Sequence, residues 1–333
     1  MKLRQEDKKK ILRCTAIVLA VICLLTAALL LLDLWEKRQG TDSLPEKEVD
    51  TLKYNGNEYV FNENVDTFLV MGLDKFEGDI KSDAYTNDRQ ADFLMLFVFD
   101  NASKKCTALH INRDTMADVN KLDVTGFKVV GTINQQIALA HIYGDGDKTS
   151  CRNTADAVSK LLKNVKIDHY ISVTMDTVPV FNDLVGGVEV TVTEDFSGLD
   201  DTLVKGEKVT LMGEHALNYV RTRKGLEDSS NSTRMERQKQ YLEALYNKTM
   251  QCIESDDEFV VNASLAISDY IVSDRSVTQL QEIMEKASSY EFVGIMSLEG
   301  ESRMGEKFIE FYPDEELLMK TVVDLFFTEK ENN

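Results

Sequence analysis

Ala91-Asp-Phe-Leu-Met-Leu-Phe-Val-Phe-Asp-Asn-Ala-Ser-Lys-Lys-Cys-Thr-Ala-Leu-His-Ile-Asn-Arg113 holds two runs of apolar, branched or aromatic residues, Phe93–Phe99 and Cys106–Ile111, parted by a polar turn at 101–105. Short runs of this kind, bounded by polar residues, read as buried strands, and the tight turn makes them a hairpin. Upstream, Thr67–Leu73 is a third run of the same character. Neighbours in sequence are usually neighbours in a sheet, so the three predict an antiparallel meander. Downstream the apolar spacing becomes helical over 135–142, 154–162 and 177–184, interleaved with strand-like 170–173 and 188–192, and Gly186-Gly187 marks a stop between a helix and a strand. That alternation predicts a layered α/β domain with helices on both faces of its sheet. A long helix is expected over 232–253. The tail adds a helix near 277–286, a strand pair and a closing helix over 314–327, whose acidic start Pro313-Asp-Glu-Glu316 complements the helix dipole. We read 61–254 as one domain and 255–333 as an extension packed on it.

Ahead of the domain, Ile11–Leu32 is an almost unbroken apolar run with one charge, Arg13, beside its start. As a helix it would reach roughly 33 Å, enough to cross a bilayer core. Lys2, Arg4, Lys8, Lys9, Lys10 and Arg13 outweigh Glu6 and Asp7, so the short segment 1–10 is expected in the cytoplasm and everything beyond the run outside. Asp33-Leu-Trp-Glu-Lys37 offers no small-residue cleavage site, which favours a retained single-pass anchor over a signal peptide. Residues 33–60, charged over 36–50, are expected to form a solvated stalk. The whole chain carries −19 and the N-terminal segment +4, leaving −23 on the exported part. Such a surface repels nucleic acid. Cys106, Cys151 and Cys252 lie outside the apolar run without metal-ligand spacing; a Cys151–Cys252 bridge and three buried thiols are both open readings.

In a meander, Asp74 after the first strand, Asp92 before the second and Arg113 after the third come to one sheet edge. Two adjacent carboxylates repel unless a cation lies between them, which points to Mg²⁺ or another hard ion, with Arg113 holding an anion nearby. Taken singly, each aspartate would be an ordinary loop cap. A second cluster is Arg221, Arg223, Lys224, Arg234, Arg237 and Lys239, six cations within nineteen residues of an acidic domain. On the long helix Arg234, Arg237, Gln238, Tyr241 and Leu245 share one stripe at helical spacing, so arginines lie on a core-type face. Any one of them could belong to a solvated basic face; together they suit a pyrophosphate, whose oxygens the planar guanidinium binds in pairs. Gly144-Asp-Gly-Asp-Lys-Thr149 lacks phosphate-loop spacing, the four histidines are scattered, and no G-x-S-x-G elbow exists.

At these residues the sequence resembles the LytR-CpsA-Psr family over roughly 66–253. The blocks are Val70-Met-Gly-Leu-Asp74, Ala91-Asp92, Ile111-Asn-Arg-Asp-Thr115, Ile167-Asp-His-Tyr170, Leu184-Val-Gly-Gly-Val188, Ala216-Leu-Asn-Tyr-Val-Arg-Thr-Arg223 and Arg234-Met-Glu-Arg-Gln238, in family order behind one N-terminal anchor. The resemblance implies an α/β/α sandwich with a central mixed sheet and a long apolar pocket for a polyprenyl tail. It also implies Mg²⁺ near Asp74 and Asp92, and phosphate ligands at Arg113, Arg221, Arg223, Arg234, Arg237 and Gln238. The implied reaction moves a phosphate-linked glycopolymer from a polyprenyl-pyrophosphate carrier to peptidoglycan, with Asp74, Asp92 and Arg113 as catalytic residues. Two positions depart from the family pattern. Gln90 stands where relatives carry arginine, with Arg89 one place earlier as its substitute, and Thr132 stands where they carry lysine. A polyprenyl pyrophosphatase, or a non-catalytic polyprenyl-phosphate-binding envelope or regulatory protein, are the competing functions.

Overall fold

The computed structural model describes residues 51–74, 89–228 and 230–330. The apolar run Ile11–Leu32 and segment 36–50 lie outside them, and among the described residues no helix is long and apolar enough to cross a membrane. The elements begin with β1 (Thr51–Tyr54), β2 (Asn57–Phe61), β3 (Val65–Leu73), β4 (Ala91–Asp100), β5 (Lys105–Ile111), β6 (Met116–Leu122) and β7 (Val129–Gln136). A 3-10 turn (Ile137–Ile142) leads to α1 (Lys148–Leu161), β8 (His169–Thr174), α2 (Thr177–Leu184), β9 (Val188–Thr191), β10 (Lys208–Leu211), α3 (Glu214–Arg221) and α4 (Asn231–Ser255). The C-terminal part holds α5 (Phe259–Ile267), β11 (Ile271–Ser273), α6 (Val277–Ser288), β12 (Glu291–Ser297), β13 (Gly300–Met304), β14 (Ile309–Pro313), α7 (Glu315–Phe326) and β15 (Phe327–Glu329).

Among the described residues the main sheet has the order β11-β8-β3-β4-β5-β12. Its centre is the expected antiparallel meander β3-β4-β5. Parallel strands flank the meander, β8 on β3 and β12 on β5, and β11 closes one edge antiparallel to β8, so the sheet is mixed. The alternation of side chains along β3 sorts the two faces. Leu69, Met71 and Leu73 point to one, where Cys151, Ala155 and Val158 of α1 and Val322 and Phe326 of α7 cover them. Each such fully buried aliphatic contributes about 1.5–3 kcal/mol. Phe68, Val70 and Gly72 point to the other face, under α4, α5 and α6. The result is an α/β/α sandwich.

A second apolar cluster, including Val188, Val190, Leu211, Tyr219 and Phe259, joins β9 and β10 to α3 and α5 and braces α4. The Ser230 side chain caps α4, accepting from the Thr233 amide at 3.2 Å. Gly186 and Gly187 make the expected stop, with φ of 80° and 87°. A Cβ on Gly187 would meet Met212 Sδ at 2.5 Å and the Leu211 carbonyl oxygen at 3.0 Å. Gly187→Ala should therefore cost at least ~2 kcal/mol, from the left-handed backbone and the clash together, read as a fall in thermal midpoint.

Three expectations are corrected. Thr51–Phe61 is a hairpin instead of the end of a stalk: Asn55 and Gly56 take positive φ in a two-residue turn, and β2 pairs with β15. Residues 135–142 are not an α-helix. Gln135 and Gln136 end β7, and the 3-10 turn that follows is drawn tight because Ile137 and Ala138 donate to the Thr115 and Arg113 carbonyls. Cys151 and Cys252 are free thiols that pack into different clusters, Cys151 with α1 in the core under β3 and Cys252 on α4 beside the second cluster.

Candidate active site

The C-terminal end of β3, the N-terminal end of β4 and the C-terminal end of β5 share one sheet edge, which brings Asp74, Asp92 and Arg113 together. Arg113 is ion-paired to Asp92 through Nη1, donates from Nη2 to Gln90 Oε1 at 2.6 Å, and has Nε 3.5 Å from Asp114 Oδ1. Gln90 thus holds Arg113 in place. Arg89 turns toward the 3-10 side, with Nη1 at 3.5 Å from the Gly146 carbonyl oxygen. Thr132 is exposed on the β6-β7 hairpin, opposite Asn120.

The cations of the second cluster arrive from two elements. Arg221 ends α3, and its Nε lies 3.3 Å from Asp74 Oδ1. Arg223 follows in the loop, near enough to act electrostatically on both Asp92 and Arg234. Arg234, from the first turns of α4, is buried; its Nη2 donates to Asn231 Oδ1 at 2.5 Å and to the Asp92 carbonyl oxygen at 3.2 Å. Asn231 is in turn tied to Asn112 Oδ1 at 2.7 Å, so the loop after β5 sets the arginine's position. Asn112 carried no signal in the sequence beyond its place beside Arg113, and Asn231 carried none. Burial draws the Arg234 pKa down to about 10 and pushes the Asp92 carboxyl above its ordinary range; Arg113 opposes the latter shift and Asp74 adds to it. Asp114 is raised for the same reason, burial.

Arg237 and Gln238 do not join this group, although both lie on the buried stripe of α4. Arg237 is 1% exposed and points toward α3: Nη1 donates to the Tyr219 carbonyl oxygen at 2.6 Å, Nη2 to that of Thr222, and Nε lies 2.6 Å from Glu194 Oε2. The Phe196 ring stands 5.3 Å away. Its donors hold the C-terminal carbonyls of α3, which aims Arg221 and Arg223 at the sheet edge. Gln238 donates to the Val220 carbonyl oxygen at 3.1 Å and borders the space behind the mouth.

That space lies between the sheet and α4. Registered rows of side chains cross its floor, first Val173-Gly72-Phe93, then Ile171-Val70-Met95-His110, then His169-Phe68-Phe97-Ala108. Nearest the mouth is a cavity of about 190 Å³, bordered by Gly72, Phe93, Val173, Tyr241 and Leu245. A Cβ on Gly72 would stand 2.9 Å from that of Phe93, so glycine keeps the floor low at this point. Beyond Val70, which borders both, a cavity of about 320 Å³ runs on among Phe68, Phe97, Ile171, Tyr246, Ile283 and Phe292. His110 lies in the second row with Nδ1 unpartnered, and burial, with Arg234 nearby, holds its pKa down to about 3, so it is neutral. A charged mouth therefore opens onto an apolar trough.

The LytR_cpsA_psr family profile matches residues 38–322. The chain belongs to the LytR-CpsA-Psr family. Among relatives, the polyisoprenyl-teichoic acid–peptidoglycan teichoic acid transferase TagU of Bacillus subtilis (strain 168) is 28% identical over 250 residues, 74% of this chain and 73% of TagU. Two solved structures share the fold. One, described as TagT bound to LI-WTA, superposes with a TM-score of 0.60 at 21% identity, over 85% of this chain and 96% of the other. The second, B. subtilis TagV, has a TM-score of 0.58 at 23% identity, over 79% and 97%.

Among the described residues, no group of three or more histidine, cysteine or acidic side chains is placed to hold a metal. Asp74 and Asp92 are the carboxylates that the strand ends bring to this mouth, each paired with an arginine, Arg221 and Arg113.

Proposed function

We propose that this LytR-CpsA-Psr protein moves a phosphate-linked glycopolymer, of teichoic-acid or capsule type, from a polyprenyl-pyrophosphate carrier to peptidoglycan at the outer face of the cell membrane. Ile11–Leu32 would serve as its anchor. The observation that carries the reading is the junction of mouth and trough. Arg113, Arg221, Arg223 and Arg234 suit a pyrophosphate, and the two cavities leading away from them, lined chiefly by residues such as Val70, Phe93, Phe68 and Phe292, suit hydrocarbon. The TagU relative, a polyisoprenyl-teichoic acid–peptidoglycan teichoic acid transferase, supports the same chemistry.

In this reading the tail lies over Gly72 and Val70, which fixes the pyrophosphate at the sheet edge. A peptidoglycan hydroxyl attacks the phosphorus next to the glycan, the bridging P–O bond breaks, the hydroxyl proton is released, and polyprenyl phosphate departs. Charge grows on the bridging oxygen as that bond breaks, and guanidinium groups already aimed there stabilise it without reorganising. Asp92 and Asp74 would hold Mg²⁺, which supplies further neutralisation of the phosphate oxygens. Each carboxylate rests on an arginine, Asp92 on Arg113 and Asp74 on Arg221. An incoming ion and pyrophosphate would exchange those pairs, the carboxylates going to the ion and the arginines to phosphate.

The pKa shift gives this a sign. With its carboxyl raised, Asp92 contributes stability at acid pH that is lost as pH rises through its own range, so at neutral pH its buried charge is a burden that a cation relieves. Melting the protein with and without Mg²⁺ should show a rise in midpoint that shrinks by at least half in Asp92→Asn; an equal rise in both would remove Asp92 from the metal site. The function itself is tested by incubating the full-length protein with a polyprenyl-pyrophosphate-linked sugar, with and without peptidoglycan oligomers. Release of polyprenyl monophosphate that requires the acceptor marks a transferase, release without acceptor a pyrophosphatase, and binding without turnover a carrier.

A further inference from the structure

The trough does not end in an apolar wall. Following β3 away from the mouth, the floor passes Gly72, Val70 and Phe68, and the next side chain on that face is Asp66, about 20 Å from the first at the usual rise of a strand. A third cavity, of about 180 Å³, opens there among Asp66, Asp168, His169 and Lys286, and it shares Phe68, Phe99, Ile283 and Ala287 with the large apolar one. The apolar space thus passes directly into a polar one.

The polar rim is partly exposed, and its Lys286–Asp66 pair is weakly held. Lys286 Nζ lies 2.8 Å from Asp66 Oδ2, with both side chains about half exposed, 50% and 47%. Asn101 Nδ2 donates to the same oxygen at 3.0 Å. Asp168 Oδ2 accepts from the Thr67 amide and hydroxyl at 2.9 and 3.1 Å. An exposed pair such as Lys286–Asp66 contributes little and parts readily. A hydrocarbon end stopping against these groups would strip water from two carboxylates and an ammonium, which is costly. A chain running out between them leaves the charges hydrated along its flanks.

We propose that the trough is open at both ends, and that carriers longer than the trough thread out past Ala287 between α6 and β3. This rests on the reading of the trough as a polyprenyl site. Its consequence is for specificity: the protein recognises the pyrophosphate and the first isoprene units, and sets no upper limit on tail length. The polarity of the distal rim, not its distance from the mouth, is the device.

The test uses the full-length protein and polyprenyl monophosphates from farnesyl to undecaprenyl, read by equilibrium binding, in the native chain and in Ala287→Trp. In the native chain affinity should rise with length and then level off. In Ala287→Trp, which fills the junction of the two cavities, farnesyl phosphate should bind within about twofold of the native chain while undecaprenyl phosphate loses tenfold or more. Unchanged farnesyl binding also reports that the variant is folded; Ala287→Leu, a smaller plug at the same junction, serves if it is not, with the same direction of effect expected. A fall in native affinity beyond some length, or equal binding of both lengths to the plugged variants, would overturn the proposal. Failure of the native chain to bind any of the series would overturn the polyprenyl reading and this proposal with it.

Discussion

Arg221→Ala combined with Arg223→Ala should lower transfer by roughly a thousandfold or more while the thermal midpoint stays within a few degrees of the parent. Loss of one preorganised donor to a developing oxyanion costs about a hundredfold to a thousandfold, and in the proposed mechanism this pair removes two cations from the same phosphate oxygens. Stability is spared because Arg221 is exposed, its partner Asp74 is nearly half exposed, and Arg223 is not buried. Exposed pairs of this kind are worth about 1 kcal/mol at most. Activity is followed as acceptor-dependent release of polyprenyl phosphate, and stability by melting. Near-normal turnover in the double variant would take the phosphates away from this mouth.

Arg237 is expected to behave in the opposite way, although it stands only three residues from Arg234. Arg237→Met should destabilise the protein by about 3–5 kcal/mol, since it strands the buried Glu194 carboxylate without a partner. It also removes the donors to the Tyr219 and Thr222 carbonyls. For a domain of this size that is a fall in midpoint of roughly 10 °C. Changing Glu194→Gln together with Arg237→Met should recover part of the loss, because the stranded charge is then gone. A variant of normal stability with impaired phosphate binding would restore Arg237 to the mouth.

The meander was legible because β3, β4 and β5 are continuous apolar runs, and their directions alone place Asp74, Asp92 and Arg113 at one edge. The inward face of α4 was legible from spacing. Spacing could not separate Arg234 from Arg237: both fall on the buried stripe, but one meets the sheet edge and the other meets α3, a helix the sequence reading did not delineate. Arg221 and Arg223 sit at the end of α3, so the reason they point where they do also went unseen. The β1 hairpin did carry a signal, Asn55-Gly56 between alternating residues, which is the turn a two-residue hairpin requires. The C-terminal edge strand β12 was harder, because its parallel pairing with β5 joins residues nearly two hundred positions apart. The distal opening of the trough was not legible at all, since Asp66, His169 and Lys286 come from three separated segments and become a rim only when β3, β8 and α6 pack.

The most direct test of the central claim is the mass of the sugar product. Full-length protein, a polyprenyl-pyrophosphate-linked glycan and peptidoglycan oligomers would be reacted together, the peptidoglycan digested, and the modified fragment weighed. A fragment carrying the glycan through a single phosphodiester, with polyprenyl monophosphate formed in equal amount, is the predicted result. Glycan phosphate free in solution, with every peptidoglycan fragment unmodified, would contradict the account.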